Sequence, residues 1–425
     1  MKRVLTCVGG MLLSFAFVSV VYASGIDNKT SWSAEYTRTF NRNAATDYAD
    51  IAAYNPAGTV KLQDGLTISG SVQYVGKEFK NIIAGTSYET DEPSIIPGIF
   101  GVYNRNKWSL FGAVTIVAGG GKVDFSQGSY KTVLAGLIYI PGDLESSQLK
   151  AESHYLGYTL GGAYEVNDMF SFSVGLRYVD AYKEMQGSIT TINTPGPFPD
   201  PLTETVAFEQ DGDGWGGIFG INLAPNDKLN IGMRYETRTD INLYTTIITD
   251  TATYLPGGGL APNFGYADGT SSPRDLPATF GIGVSYWLTP QLRVEANFTN
   301  YFNEDADWGG KENNVDNGYD VGIALEYHFN DTLLASIGYM KTETGIDPQY
   351  MSNESPELDA NTICGGIGYA FTERFHTNLG MAFVFYDDDS FIKTIPSPPA
   401  PVQLDIPVGY EKDIFIVTLG AEYRF

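Results

Sequence analysis

Residue types that catalyse reactions are scarce in this chain. It has three histidines, His154, His328 and His376, and none stands in a metal-ligand spacing. Of its two cysteines, Cys7 falls in the leader described below and leaves Cys364 as the single thiol, so no internal disulfide and no thiolate metal cluster can be built. Asp211-Gly212-Asp213-Gly214 resembles a fragment of a calcium loop, but the ligands that should follow are missing, which favours a solvated loop. No metal and no cofactor is implied. What the charged residues could do is hold a ligand. Arg177, Lys183, Arg234 and Arg293 fall on the polar side of alternating segments, where a cation would anchor a carboxylate. Each has an acidic neighbour among Glu165, Glu184, Glu236 and Glu295, so ion pairing within the wall competes with that role. If all four are paired, the ligand is neutral.

The elements that must position these residues begin after a leader. Lys2 and Arg3 precede an apolar run from Val4 to Val21 that ends Val21-Tyr22-Ala23, the pattern of an export signal over residues 1–23. The run is short for a membrane helix, and no later stretch is long enough for one. Loss of Lys2 and Arg3 moves the net charge from −24 to −26, which argues against a nucleic-acid partner because phosphate binding needs a basic footprint. Gly 48, Tyr 28 and Phe 24 with 18% charged residues is a composition that favours sheet.

The periodicity is that of strands with one greasy and one wet side. Near the C-terminus Phe415, Val417, Leu419, Ala421, Tyr423 and Phe425 alternate with Thr418, Gly420, Glu422 and Arg424. Tyr319, Val321, Ile323, Leu325 and Tyr327 alternate with Asp320, Gly322, Ala324 and Glu326, and segments near Phe172, Ile231 and Phe383 repeat the pattern. A soluble sandwich would pair such faces against a second apolar sheet. Here the opposite faces are Gly, Ser, Thr and charges of both signs, which points to hydrocarbon outside and water inside, and a sheet in lipid must close on itself.

Counting such segments predicts an all-β transmembrane antiparallel barrel of about 14 strands over residues 61–425. Tight turns at 104–107, 166–168, 225–228, 288–290, 330–331 and 372–373 alternate with long polar connections at 77–94, 119–150, 185–214, 239–277, 304–317, 343–358 and 387–410. Short turns belong on the periplasmic side, with both termini, and long loops outside. His328 and His376 then lie at the short-turn end, away from any outer-rim hydrolytic site, and an enzyme is not expected.

Residues 24–60 do not alternate. They include Asn41-Arg42-Asn43 and the run from Asp47 to Gly58 centred on Asn55-Pro56-Ala57, placed where a segment could plug the barrel from beneath; a loose periplasmic tail is the competing reading. At these residues the chain resembles the FadL-type long-chain fatty acid transporters of the outer membrane, which include aromatic hydrocarbon channels. The resemblance extends to the strand count, the loop plan and the terminal Phe425. It implies a monomeric barrel with an N-terminal hatch, capture of an apolar small molecule on the outer loops, and exit through the wall at a kinked third strand. It also implies outer-membrane lipid, lipopolysaccharide and, through Phe425, the barrel-assembly machinery as partners. Two departures bear on the ligand: Ser24-Gly25-Ile26-Asp27-Asn28-Lys29 is polar for a segment reaching a ligand pocket, and the loops are acidic.

Two further stretches bear on passage of an apolar ligand. Gly119-Gly120-Gly121, at the end of the third strand after Phe111 and Val117, could bend the wall inward or simply begin a flexible loop. The run from Val133 to Pro141, with Leu134, Leu137, Ile138 and Ile140, is the most apolar outside the strands and could form a capture surface or pack on its own rim. The competing function is a general or sugar-specific porin, which would more often carry sixteen or eighteen strands and no segment before the first.

Overall fold

The computed structural model describes residues 32–425, apart from Pro256 and residues 398–401. The expected signal over residues 1–23 and the polar start of the mature chain lie outside the described residues. The strand segments are β1 (Gly65–Ile83), β2 (Thr86–Thr90), β3 (Ser94–Arg105), β4 (Trp108–Phe125), β5 (Asp143–Asn167), β6 (Phe170–Ile192), β7 (Leu202–Asn226), β8 (Leu229–Glu236), β9 (Asn242–Asp250), β10 (Ser271–Pro273), β11 (Ala278–Trp287), β12 (Leu292–Phe302), β13 (Gly318–His328), β14 (Leu333–Glu343), β15 (Ala360–Ala370), β16 (Phe375–Tyr386), β17 (Asp389–Ser397) and β18 (Val402–Arg424). Four pairs, β2 with β3, β8 with β9, β10 with β11 and β16 with β17, are halves of one broken stave, since both halves lie against the same neighbour. That leaves fourteen staves in antiparallel register. β18 then pairs along β1 from Thr67 opposite Arg424 to Ile83 opposite Val408, which closes the ring and leaves no edge.

Alternation sets which way each side chain points. On β13, Val321, Ile323, Leu325 and Tyr327 are exposed outward while Asp320, Ala324 and Glu326 are buried inward; β6, β16 and β18 follow the same rule. Five of the six tight turns share one device. Asn167, Asn226 and Asn330 each accept two backbone N–H groups on their Oδ1 from the residues that follow, and Thr289 and Thr372 do the same with Oγ1. These turns lie at the end of the ring that holds Gly65 and Phe425.

At the other end the strands run farther than their apolar pattern does. β1, β4, β6, β7 and β18 continue through stretches expected to be loops, so the connections 77–94, 185–214 and 387–410 are largely ladder and 119–150 is ladder at both ends. Above the membrane a strand has water on its outer face and needs no apolar residues there, so its hydropathy falls silent while its hydrogen bonds continue. Asp211 to Gly214 sits inside β7 rather than in a solvated loop. A Cβ on Gly212 or Gly214 would stand 2.6 Å from the Asn242 carbonyl or 2.3 Å from that of Asp240, so the glycines admit the neighbouring stave. The stretch 130–138 is helix α1 (Tyr130–Ile138), closed by a Ser129/Thr132 capping box.

Residues 32–62 fill the ring from the turn end and form the plug. They hold two single helical turns, α-helical at Ala34–Thr37 and Ile51–Tyr54, and a 3-10 turn at Pro56–Lys61. The backbone of 34–44 follows the inner wall across a track of glycines. An added Cβ would meet Ala34 from Gly420, Thr37 from Gly380, Arg38 from Gly366, the Thr39 carbonyl from Gly338, Asn41 from Gly322, Ala44 from Gly283 and the Asn43 carbonyl from Gly232. Inner glycines thus form a groove one backbone wide.

Gly338→Val places a side chain 2.1 Å from the Thr39 carbonyl oxygen. It is expected to cost about 1–3 kcal/mol by overpacking and to lower the midpoint of heat-induced band shift on electrophoresis. Gly101→Ala, whose nearest contact is 4.0 Å away, is expected to leave that midpoint unchanged.

Candidate functional site

The plug is held by charge as well as by shape. Arg42 forks onto Asp50 (3.1 and 2.6 Å) and reaches Asp47 (2.6 Å); Arg293 on β12 bridges Asp47 (2.9 Å) and Glu326 on β13 (3.0 Å); and Glu326 in turn pairs with Arg38. Barrel carboxylates also cap plug backbone: Glu295 accepts from Ala44 N–H (3.0 Å) and Glu422 from Ala49 N–H (2.7 Å). Such buried pairs hold only when complete, because removing one partner strands a charge. Arg293 is therefore placed in the plug lock.

The expected plug motif lies in the same seat. Asn55 donates to Ala45 O (3.0 Å) and to Asn222 Oδ1 on β7 (2.8 Å), Pro56 opens the 3-10 turn, and the Ala57 carbonyl accepts from Ser171 on β6 (2.7 Å). Gly58 follows because a Cβ there would stand 2.5 Å from the Asn55 amide.

The wall opens at the third stave. β3 and β4 pair only from Arg105 opposite Trp108 to Gly98 opposite Thr115. Beyond that β4 leaves its neighbour and shifts register against β5 at Ile116, Ala118 and Gly121, with φ of 105° at Gly119 and 68° at Gly121. Those φ values favour glycine, and a Cβ on Gly119 would stand 2.5 Å from the Ser153 carbonyl. The glycines therefore bend the strand in mid-course rather than ending it. The two staves meet again where Asp124 N–H donates to Thr90 Oγ1 (2.8 Å). Between these limits is a window in the ladder, flanked outside by exposed Ile95, Ile99 and Val114. Lys77 of β1 spans it from within, its Nζ donating to Gly120 O (2.7 Å) and Ser94 Oγ (3.2 Å).

Three cavities surround the bend. One of about 60 Å³ lies behind the window, lined by Trp32, Phe79, Ile96 and the three glycines. One of about 100 Å³ lies deeper in the lumen, lined by Trp32, Tyr54, Ile116, Val117, Ile218, Leu276, Tyr301, Arg177, Arg234 and Glu236. A third of about 50 Å³ lies on the loop side of the glycines with Lys183, Met185 and Glu354. Trp32 borders the first two and the glycine bend borders the first and third, so together they line a route from the loops to the lumen and the wall. The lumen cavity sets apolar walls beside a few convergent polar groups, the pattern of a small-molecule site.

The four candidate anchors separate. Arg177 (2.7 Å) and Arg234 both lean on Glu236, Arg293 joins the plug lock, and Lys183 stands near the rim, donating to Tyr266 Oη (3.2 Å). The acidic partners are also redistributed: Glu165 pairs with Lys61 (2.7 Å), and Glu184 accepts from Tyr182 (2.9 Å). In the expected capture stretch, Leu134 and Ile140 are buried in the loop core with Trp308, Leu149 and Met185, and Leu137 alone is widely exposed at 60%. The helix turns most of its apolar face onto the rim. Reasoning from sequence passed over Lys77 and Trp32. Lys77 could have been found, since it continues the inward run Ser69, Ser71, Gln73; a single Trp32 in a polar segment carries no such signal.

The Glu35 carboxyl, buried in the plug, is pushed up to about 8 by burial and by Asp50. Because its folded value is raised, the folded state keeps a proton that the unfolded chain releases above its ordinary value, and stability is lost as pH climbs from about 4.5 toward 8. Glu35→Gln is expected to flatten the fall of the melting midpoint over that window, measured by thermal unfolding in detergent at a series of pH values; an unaltered slope would place the proton elsewhere.

No curated protein matches the sequence. Among solved structures, a FadL homologue of Pseudomonas aeruginosa is similar at a TM-score of 0.72 with 14% identity, covering 95% of this chain and 100% of that one. The toluene transporter TodX of Pseudomonas putida is similar at 0.64 and 13%, over 95% and 100%, and the toluene transporter TbuX of Ralstonia pickettii at 0.63 and 14%, over 94% and 99%. At these identities the likeness is one of fold. Residues 15–425 match the family described as outer membrane protein transport protein (OMPP1/FadL/TodX). The chain belongs to that family, and its place is the outer membrane.

Proposed function

We propose that this barrel carries hydrophobic small molecules, long-chain fatty acids or aromatic hydrocarbons, passively across the outer membrane. The carrying observation is the window between β3 and β4, backed by an apolar cavity and framed outside by Ile95, Ile99 and Val114. A water-soluble solute gains nothing from an opening that faces hydrocarbon, whereas an apolar one is stabilised by about 25 cal/mol for each Å² it removes from water. The plug occupies the axial path with a paired ion network, so the ligand leaves sideways. The solved relatives named as toluene transporters support the apolar cargo.

In this reading Leu137 and Ile138 offer a first contact at the loops, Lys183 borders the outer cavity, Asn55, Pro56 and Ala57 seat the hatch, and Gly119, Gly120 and Gly121 make the bend. The ring closes on its own chain and works as a monomer among outer-membrane lipid and lipopolysaccharide. The exposed Phe425 at the end of β18 is the residue offered to the barrel-assembly machinery. Transport, not catalysis, is its chemistry.

The protein in planar bilayers is expected to show no steady ion conductance and, in liposomes, no swelling by maltose, while cells carrying it take up labelled laurate or toluene at least ten-fold faster than cells without it. Sugar flux with high conductance would instead make it a porin.

A further inference from the structure

An apolar layer crosses the lumen between two of the cavities. Along β4 the lumen cavity is lined as far as Val117 and the outer cavity from Gly119, with Ala118 between them. Along β6 the same order runs Arg177, then Val179 and Ala181, then Lys183; along β5 it runs Thr159, Tyr155, Ser153. Ala118, Tyr155, Val179 and Ala181 are at most 1% exposed and pack in one cluster with Ile241, Leu243 and Leu276 from the staves beyond β7.

Ile241 and Leu276 reach this layer because two staves turn inward. β7 pairs with β8 up to Ile218 opposite Glu236 and with β9 from Asp211 opposite Tyr244, and residues 238–241 run outside the ladder with β7 between these limits. Glycines on the inner face of β7 admit them: a Cβ on Gly214 would stand 2.3 Å from Asp240 O, and one on Gly216 2.5 Å from Thr239 Oγ1. Residues 274–277 turn with them. Thr239 and Leu276 exchange two backbone bonds of 3.0 Å, and Arg274 N–H donates to Ile241 O (2.7 Å). Asp275, 2% exposed, staples the pair: its carboxylate accepts from Ile241 N–H (3.0 Å) and Asp307 N–H (3.0 Å), and its carbonyl from Trp308 Nε1 (2.9 Å).

We propose that Ile241, Leu243 and Leu276, closing on Tyr155, form a width filter between the outer cavity and the lumen cavity, which passes an unbranched chain or a single aromatic ring and refuses fused rings. The proposal rests on the channel reading above and names its cargo by cross-section. Leucine and isoleucine side chains swing between staggered rotamers within nanoseconds and leave the backbone in place. That movement clears a slim path. A wider one requires the inturned backbone itself to part, which breaks the Asp275 staple and leaves a buried carboxylate and buried N–H groups without partners. A polar solute is refused on separate grounds, since an apolar constriction sheds its water.

The test measures uptake by cells carrying the protein relative to cells without it. The unaltered protein is expected to raise uptake of labelled laurate or toluene at least ten-fold and that of labelled phenanthrene, three fused rings, less than two-fold. Ile241→Ala combined with Leu243→Ala is expected to increase the phenanthrene gain at least five-fold, while maltose still fails to swell liposomes because the plug seat is untouched. The heat-induced band shift reports whether that barrel forms; where it does not, Ile241→Val, smaller by one methylene, is expected to increase the phenanthrene gain about two-fold. Phenanthrene carried as well as the slim cargoes by the unaltered protein would overturn the filter and leave the channel reading standing. So would a phenanthrene gain unmoved in a trimmed variant whose barrel forms, or maltose entry through it, which marks a general leak. No gain for laurate, toluene or phenanthrene would overturn the channel reading and the filter with it.

Discussion

In hydrocarbon a backbone N–H or C=O without a partner has no water to turn to, and each one left unpaired costs several kcal/mol. That constraint accounts for the closed ring, in which β18 returns to β1 and no edge is left. It also explains why the break between β3 and β4 stands out. A gap in a lipid-facing ladder has to be compensated, and Lys77 provides part of that, spending one ammonium on the Gly120 carbonyl and the Ser94 hydroxyl. Pro97, which has no N–H to offer, sits at the first position past the last β3–β4 pair, where a neighbouring strand has departed. The window is thus bordered by a lysine that reaches both of its sides and by a proline at its start.

The interior obeys a different balance. The plug is seated by backbone in a glycine groove and by buried ion pairs whose partners come from both plug and wall. Swinging it out would part Arg38 from Glu326 and Asp47 from Arg293, and breaking one buried pair already costs on the order of 3–5 kcal/mol. With the plug seated, the bend at Gly119 to Gly121 is where the wall beside the lumen loses its regular ladder. The plug lock gathers its charges toward β12 and β13, while the lumen cavity lies toward β4 and β7 and sets Arg177, Arg234 and Glu236 among aromatic and aliphatic residues.

Much of this was legible in the residues. The alternation on β13, β16 and β18 fixed which side meets lipid, because nothing but hydrocarbon rewards a full apolar face opposite Asp320, Glu326 or Glu422. The stave number and the turn chemistry followed, since Asn and Thr at the tight turns mark their own positions. The outer strands were not legible, for water on both faces erases the contrast that periodicity measures, and β9, β17 and the upper part of β7 were read as loop. The glycines at 338, 366 and 380 carry no mark of their own in the sequence. Their purpose depends on a segment some three hundred positions away. Arg177 and Arg234 were legible as inward cations, but their sharing of Glu236 was not, because alternation reports a face and never a distance.

The most direct measurement is of the window itself. Pro97 and Ile116 follow the last β3–β4 pair in register, so cysteines at both positions, with Cys364→Ser to remove the native thiol, would weld the staves when oxidised. Uptake of labelled laurate that falls at least ten-fold on oxidation and returns on reduction is the result expected of sideways release. Uptake that continues unchanged through a fully formed cross-link would contradict it and send the cargo down the barrel axis instead.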